Sequence, residues 1–218
     1  RATHQGPIVR QTNDTTFIAA QIARLHEIER IYQSFEMLRS RDFDEWRTAF
    51  RRCAIPMFNV AYADRDGNIF YCFNGSIPIR DPSFDWTRPV DGSDPRTDWQ
   101  GIHSLEALPQ VENPKSGYVQ NCNSSPFVTT DEENPNRGDF FGYMLEDADH
   151  DKRRSKLSRM LLREAKDLTF EEFQALTTDN QLYWPLTSLR DFERDLTRME
   201  AIEPERAKKV RRYFAHLQ

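Results

Sequence analysis

Cysteine is scarce and poorly placed for either of its structural uses. Cys53, Cys72 and Cys122 form an odd, widely spaced set with no C-x-x-C pair, so the sequence indicates neither a zinc site nor a disulfide framework. Long apolar runs are also missing: no stretch approaches membrane-spanning length, and the chain opens at Arg1 without a signal-peptide pattern. Positive charge is not in excess. The formal net charge of -5 argues against a general nucleic-acid binder. Basic residues gather at 152–163 and 206–212, where they lack the interleaved aromatic groups that stack on bases and read as solvated helix faces. His4, His26, His103, His150 and His216 show no metal-ligand spacing, and no Ser or Cys sits in a recognisable nucleophile motif. There is no internal repeat and no low-complexity tract. Aromatic residues, by contrast, are plentiful. Fifteen Phe, seven Tyr and four Trp in 218 residues supply a sizeable core beneath a surface rich in charge, so the chain is expected to fold over most of its length.

Residues 58–75 read as a β-hairpin. Two aromatic and β-branched runs flank Asp66-Gly67, a pair that favours a tight primed turn. Phe58, Val60 and Tyr62 alternate with Asn59, Ala61 and Ala63, and Ile69, Tyr71 and Phe73 with Phe70, Cys72 and Asn74. Apolar groups on both faces predict a strand pair covered on both sides. Upstream, Gly6-Pro7 leads into a short apolar segment, and residues 15–23 are strand-like with an end that could equally begin a helix. Ile28, Ile31, Tyr32, Phe35, Met37 and Leu38 recur at helical spacing, giving a helix over 26–39. Asp42 and Glu45 form a capping box for a second helix, which buries Trp46, Ala49, Phe50 and Cys53.

Residues 76–114 carry six prolines and read as a long excursion, with Trp86 and Trp99 as packing anchors. Residues 116–123 regain strand character and end in a polar cluster of Gln120, Asn121, Asn123, Ser124 and Ser125. An acidic loop follows. The remainder is helical: one helix over Arg153–Glu164, one from a capping box at Thr169 and Glu172, one capped by Ser188 with Leu189, Phe192, Leu196 and Met199 inward, and one opened by Pro204 with Ala207, Val210, Phe214 and Leu217 aligned. The fold class is therefore α+β. Residues 1–130 hold the sheets, with the excursion at 76–114, and residues 131–218 are mostly helical.

Two metal readings are weak. Asp64, Asp66 and Asn68 resemble part of a calcium loop, but the closing Glu of an EF-hand is replaced by Gly75, and a hairpin turn explains them better. Asp147, Asp149 and Asp151 around His150 read as an exposed acidic loop. Asn123 is more promising. A side-chain amide at the end of a strand, before a Ser-Ser-Pro break, is a suitable fixed donor for the oxyanion of an acyl-transfer step, although an Asn taken alone is more often a turn former.

Three segments together resemble the penicillin acylase family of amidohydrolases: residues 4–9 (HQGPIV), 59–69 (NVAYADRDGNI) and 113–126 (NPKSGYVQNCNSSP). Residues 98–101 (DWQG) and 108–111 (LPQV) fit between them, so the match runs from about residue 3 to 126 in order. The Gln-Asn-Cys-Asn form is closer to the acyl-homoserine-lactone and lipopeptide acylases than to penicillin acylase itself. The resemblance implies an αββα N-terminal-nucleophile fold, followed here by a helical segment. It implies a self-cleaving precursor and a Ser whose own α-amine assists attack on a substrate amide. Asn123 matches the family's oxyanion Asn. Arg153 or Arg154 matches its active-site Arg, with Arg153 favoured by the residues after it, against the alternative of a surface cation. No cofactor is implied for catalysis. A structural calcium is common in the family, and Asp139 with the backbone near Trp86 could match two of its ligands.

The departures are as informative. In the family the nucleophile precedes the segment that His4-Gln-Gly-Pro7 resembles by a long stretch, and Arg1 cannot serve in its place. The resemblance therefore implies an internal piece of a large (β) subunit, inactive alone, whose partners are a small (α) subunit, the rest of the β subunit and a small-molecule N-acyl substrate. It implies no nucleic acid and no membrane, and a bacterial enzyme exported to the periplasm or secreted. The alternative is a binding or scaffold module of the same fold without catalysis, using the proline-rich loop as its contact surface.

Overall fold

The computed structural model describes residues 1–145 and 151–215, and for Trp184 and Arg190 the backbone alone. Asp147, Asp149, His150 and Leu217 lie outside the described residues. The chain forms two compact units, Arg1–Asp151 and Lys152–Gln218.

The first unit contains two small antiparallel sheets and two helices. Strands β1 (Ala2–Thr3), β2 (Gly6–Gln11) and β3 (Phe17–Ala19) pair in that order, with an irregularity between Ile8 and Arg10. Helices α1 (Glu29–Arg39) and α2 (Phe43–Phe50) follow. Then β4 (Val60–Ala63) and β5 (Ile69–Cys72) pair antiparallel, and β6 (Gln110–Glu112) adds to the far side of β5. The core lies between α2 and one face of this second sheet. Phe43, Trp46 and Phe50 recur at the three-to-four spacing that aligns a helix face. Their rings meet Phe70 at centroid distances of 5.8, 5.8 and 6.2 Å. Tyr62, directly opposite Phe70, closes the cluster on Trp46 at 4.6 Å. Arg47 pairs with Glu112 and lays its guanidinium over Phe43 and Phe70, tying α2 to β6.

Several expectations hold and others are corrected. Asp42 caps α2, accepting the Glu45 N–H at 2.8 Å, but Glu45 reaches one residue further back than a capping box requires and takes the Arg41 N–H at 3.0 Å. β5 is covered on both faces, with Phe70, Tyr71 and Cys72 all buried. Ala61 and Ala63 leave one face of β4 exposed, so covering on both sides applies to β5 and not to the pair. The hairpin turn is not a two-residue primed turn. Ala63 pairs with Ile69, leaving a five-residue loop in which Gly67 has φ +90° and Asp66 stays out of the left-handed region. Asp64 explains why: its carboxylate accepts the N–H groups of Asp66 and Asn68, the Asn68 amide and the Tyr62 hydroxyl, all within 2.8–3.0 Å. The Asn68 side chain, first among these bonds, holds that carboxyl below its usual range. The loop satisfies its own acid.

The strand expected over 116–123 is absent, and the strand in that neighbourhood is β6, inside the stretch expected to be loop. Three residues between Pro109 and Pro114 suffice for it, whereas Gly117 and Asn123 at positive φ turn the later segment away from any ladder. Helix α1 forms, yet its apolar stripe faces outward. Ile28, Ile31, Tyr32, Phe35 and Leu38 are exposed, and the buried residue is Gln33, whose side-chain oxygen accepts the Ala54 N–H at 2.7 Å. The cation–π contacts of Trp86 and Trp99 lie within the excursion, since Arg80 is itself one of its residues. Both stack on the Arg80 guanidinium, at 5.3 and 5.4 Å.

The second unit consists of α3 (Arg153–Glu164), α4 (Phe170–Thr177), α5 (Tyr183–Ile202) and α6 (Pro204–Phe214). The Thr169–Glu172 capping box is present, and Pro204 occupies the first turn of α6. α5 starts before Ser188, which lies inside it; Pro185, in the first turn, needs no intrahelical N–H bond there. Leu196, Ala207 and Phe214 are buried, and the Phe192 and Phe214 rings meet at 5.1 Å. Phe170 and Phe173 of α4 are exposed.

Candidate active site

Asn123 sits in the loop that links β6 to the rest of the first unit, and side-chain amides build that loop. Asn134 Oδ1 accepts the N–H groups of Thr129 and Thr130 at 2.8 and 3.0 Å, and the Gln120 N–H donates to the Thr129 carbonyl at 2.9 Å. Ser125 caps a 3-10 turn over Pro126–Val128. Asn123 itself is exposed and has φ +56°, a region that Asn enters more readily than most residues. Its N–H donates to Asn121 Oδ1 at 3.0 Å, the two-residue side-chain turn typical of Asn. Of the two readings made from the sequence, the turn former is the one this geometry shows, on a residue that is exposed.

Behind Asn123 lies an asparagine network that the sequence suggested only in part. Asn121 Oδ1 also accepts from Asn59 Nδ2 at 2.9 Å, and Asn121 Nδ2 donates to the Tyr71 hydroxyl at 3.1 Å and the Ser124 carbonyl at 3.2 Å. Asn59 Oδ1 accepts the Asn74 N–H at 3.0 Å, and Asn74 Oδ1 the Met57 N–H at 2.9 Å. Asn59 stands just before β4 and Asn74 just after β5, so the network crosses the open end of the hairpin. Tyr71 is buried on the face of β5 opposite α2, and burial raises its phenol above the ordinary range. Asn59, Asn74 and Tyr71 were not singled out from the sequence as site residues. The available signal was positional: Asn at both outer ends of a hairpin whose middle is apolar.

Arg153 and Arg154 belong to the second unit. They are the first two residues of α3, both exposed, after Lys152. Three cations at a helix N-terminus oppose the helix dipole, at about 0.3–1 kcal/mol each for exposed groups. Lys152, the N-cap residue, makes no side-chain capping bond. The helix is held instead from within: Ser155 is buried and accepts from Arg159 at 2.8 Å. The cations at 152–154 are thus placed against helix stability.

Asp139 is exposed at the end of a 3-10 turn over Arg137–Asp139, and Trp86 donates its indole N–H to the Asp81 carbonyl at 2.7 Å. Calcium takes six to eight oxygen ligands. Among the described residues there is no group of three His, Cys, Asp or Glu side chains able to hold a metal. These residues do not compose a calcium site by themselves.

The fold and these loops have known relatives. A family model described as penicillin amidase matches residues 1–215. The penicillin G acylase of Escherichia coli is 32% identical over 116 residues, which are 53% of this chain and 14% of that protein. A solved structure of a thermostable penicillin G acylase from Alcaligenes faecalis superposes with a TM-score of 0.62 at 20% identity, covering 92% of this chain and 34% of the other; it shows a shared α+β fold. The chain thus spans about a third of the length of that relative. With the family model matched across nearly every residue, the chain belongs to the penicillin amidase family.

Proposed function

We propose that this chain is part of an amidohydrolase that cleaves the amide bond of a small N-acyl substrate through an acyl-enzyme. In this reading a Ser outside the 218 residues adds its Oγ to the amide carbonyl while its α-amine takes the proton. The carbonyl oxygen becomes an oxyanion, to which the Asn123 side-chain amide donates. The C–N bond then breaks, the departing amine takes the proton, and water hydrolyses the resulting ester. The observation that carries this reading is Asn123 itself: an exposed residue on a loop whose backbone is held by a neighbouring half-buried asparagine network, in a chain of the penicillin amidase family. Arg153, or failing it Arg154, keeps the part of active-site Arg in this reading on the family likeness alone. Asp139 and the backbone beside Trp86 enter only as a share of a calcium site whose other oxygens come from elsewhere. The remaining partners in this reading are a small subunit and the rest of the large one, in a bacterial enzyme exported to the periplasm or beyond.

The names of the two relatives make penicillin G the first substrate to try, beside a panel of 4-nitroanilides carrying phenylacetyl and straight-chain acyl groups. In the full-length protein, Asn123→Ala is expected to lower kcat by about 10²–10³, the loss typical of one oxyanion donor. The melting temperature should fall by only a few degrees, since the residue is exposed and the cost is that of Ala at φ +56°. Turnover near that of the parent would remove Asn123 from the mechanism. Failure of the parent to cleave any member of the panel would favour a scaffold module of the same fold.

A further inference from the structure

Asn123 can donate to an oxyanion only if its backbone is fixed, and the structure shows what fixes it. A side-chain amide offers two donors and two acceptor lone pairs. Asn121 uses all four: the Asn123 N–H and Asn59 Nδ2 on its oxygen, the Tyr71 hydroxyl and the Ser124 carbonyl on its nitrogen. Rotating that amide by half a turn would set nitrogen against donors and oxygen against a carbonyl. Its orientation is therefore determined. Asn59 is determined in turn, since its oxygen takes the Asn74 N–H at the mouth of the β4–β5 hairpin. The relay runs from the rigid sheet, through two amides, to the N–H of a residue in the left-handed region.

We infer that Asn59 and Asn121 are positioning residues, whose amides hold the Asn123 backbone so that its side chain is presented to the reacting carbonyl. The inference rests on the reading of Asn123 as an oxyanion donor. Neither residue is assigned a contact with substrate. Asn59 bonds no atom of Asn123 and acts through the oxygen it shares with the Asn123 N–H. A displacement of the order of 1 Å at a reacting group can lower a rate about 100-fold, so a slackened relay should be visible in kcat.

The test uses the full-length protein and the 4-nitroanilide panel. Asn59→Asp keeps the oxygen that accepts from Asn74 while removing the donor to Asn121 and setting a carboxylate against its oxygen. Tyr71→Phe keeps the buried ring and removes the hydroxyl that orients the Asn121 nitrogen. Each is expected to lower kcat about 10- to 100-fold with KM changed less than about twofold. In an Asn123→Ala background neither should lower kcat further, because a group that acts through Asn123 then has nothing to position. Losses that multiply with that of Asn123→Ala would overturn the inference, as would unchanged kcat in both single variants. Hydrogen exchange at the Asn123 N–H gives a readout independent of turnover: it should accelerate about tenfold or more in Asn59→Asp, and an unchanged rate overturns the inference alone. If Asn59→Asp does not fold, Tyr71→Phe carries both measurements. Normal turnover by Asn123→Ala would instead strike the underlying mechanism.

Discussion

The Gly of the His4-Gln-Gly-Pro7 segment has a physical reason that needs no chemistry. Gly6 has φ +136°, and a Cβ placed there would lie 2.2 Å from the Ala20 carbonyl oxygen, where β2 meets the chain leaving β3. The obstacle is backbone and cannot rotate away. Gly6→Ala should therefore destabilise the fold by at least about 1–3 kcal/mol, read as a lower urea midpoint, and an unchanged midpoint would mean that the two strands part easily. Cysteine gives a second prediction at this scale. Cys53 and Cys72 are 2% and 0% exposed, and burial, the main cause, pushes the Cys53 thiol up to about 11. In the unfolded chain that thiol ionises near its ordinary value of 9.0, whereas the folded chain keeps the proton. Between these values the folded state binds more protons, so its stability falls as pH rises. The contribution is complete below about pH 9 and lost through about 11. Urea midpoints at pH 8 and 10.5 should show a decline that shrinks in Cys53→Ala, measured against that variant's own midpoint at pH 8. A thiol reagent should leave Cys53 and Cys72 unlabelled until the chain unfolds.

Among the elements, helix α2 concentrates the first unit's stability. Its start depends on one cap, so Asp42→Ala should cost about 1 kcal/mol. Its last turn depends on Phe50, fully buried against Trp46 and Phe70, and Phe50→Ala should cost about 3–5 kcal/mol. Equilibrium urea unfolding of the two variants should separate the cap from the core by this margin. This helix was legible in the sequence because cap, apolar period and stop agree over a short range. The β4–β5 pairing was legible for the same reason, through alternation. What escaped was decided by contacts distant in sequence. Gln110 to Glu112 carries no pattern long enough to read as a strand, and becomes one because β5 offers an open edge. The segment 116–123 carries strand-forming residues, and bends because the Asn121 side-chain oxygen takes the Asn123 N–H and the Thr129 carbonyl takes the Gln120 N–H, outside any ladder. The same distance hid half the candidate site. Asn121 and Asn123 were visible as a polar cluster at a chain break, but Asn59 joins them from 62 residues away, and only folding brings its amide to theirs.

On the scale of the whole molecule, the first unit leaves apolar surface of a particular kind. Along α1, Ile31 is 64% exposed and Leu38 86%, with Ile28, Tyr32 and Phe35 beside them. Residues three, four and seven apart on a helix share one face, so these are a continuous stripe and not scattered side chains. Contiguous patches of this sort on soluble proteins mark contact surfaces or aggregation hazards. The other side of α1 is settled by different chemistry: Gln33 bonds the Ala54 N–H, and Arg52 binds Glu29 and Glu36 at 3.1 and 2.6 Å. Since the stripe takes no part in these contacts, charging it should not unfold the unit. The prediction concerns the 218-residue chain in solution. Ile31→Glu with Leu38→Lys should raise the protein concentration at which light scattering begins by several-fold, while the unfolding free energy from urea titration stays within about 0.5 kcal/mol of the parent, as for surface substitutions. Like charges are avoided by pairing opposite signs one turn-pair apart, so net charge is unchanged and any gain in solubility comes from the lost apolar area. A fall in the midpoint instead would mean that the stripe is packed within the fold, and that Gln33 does not mark the buried side of the helix.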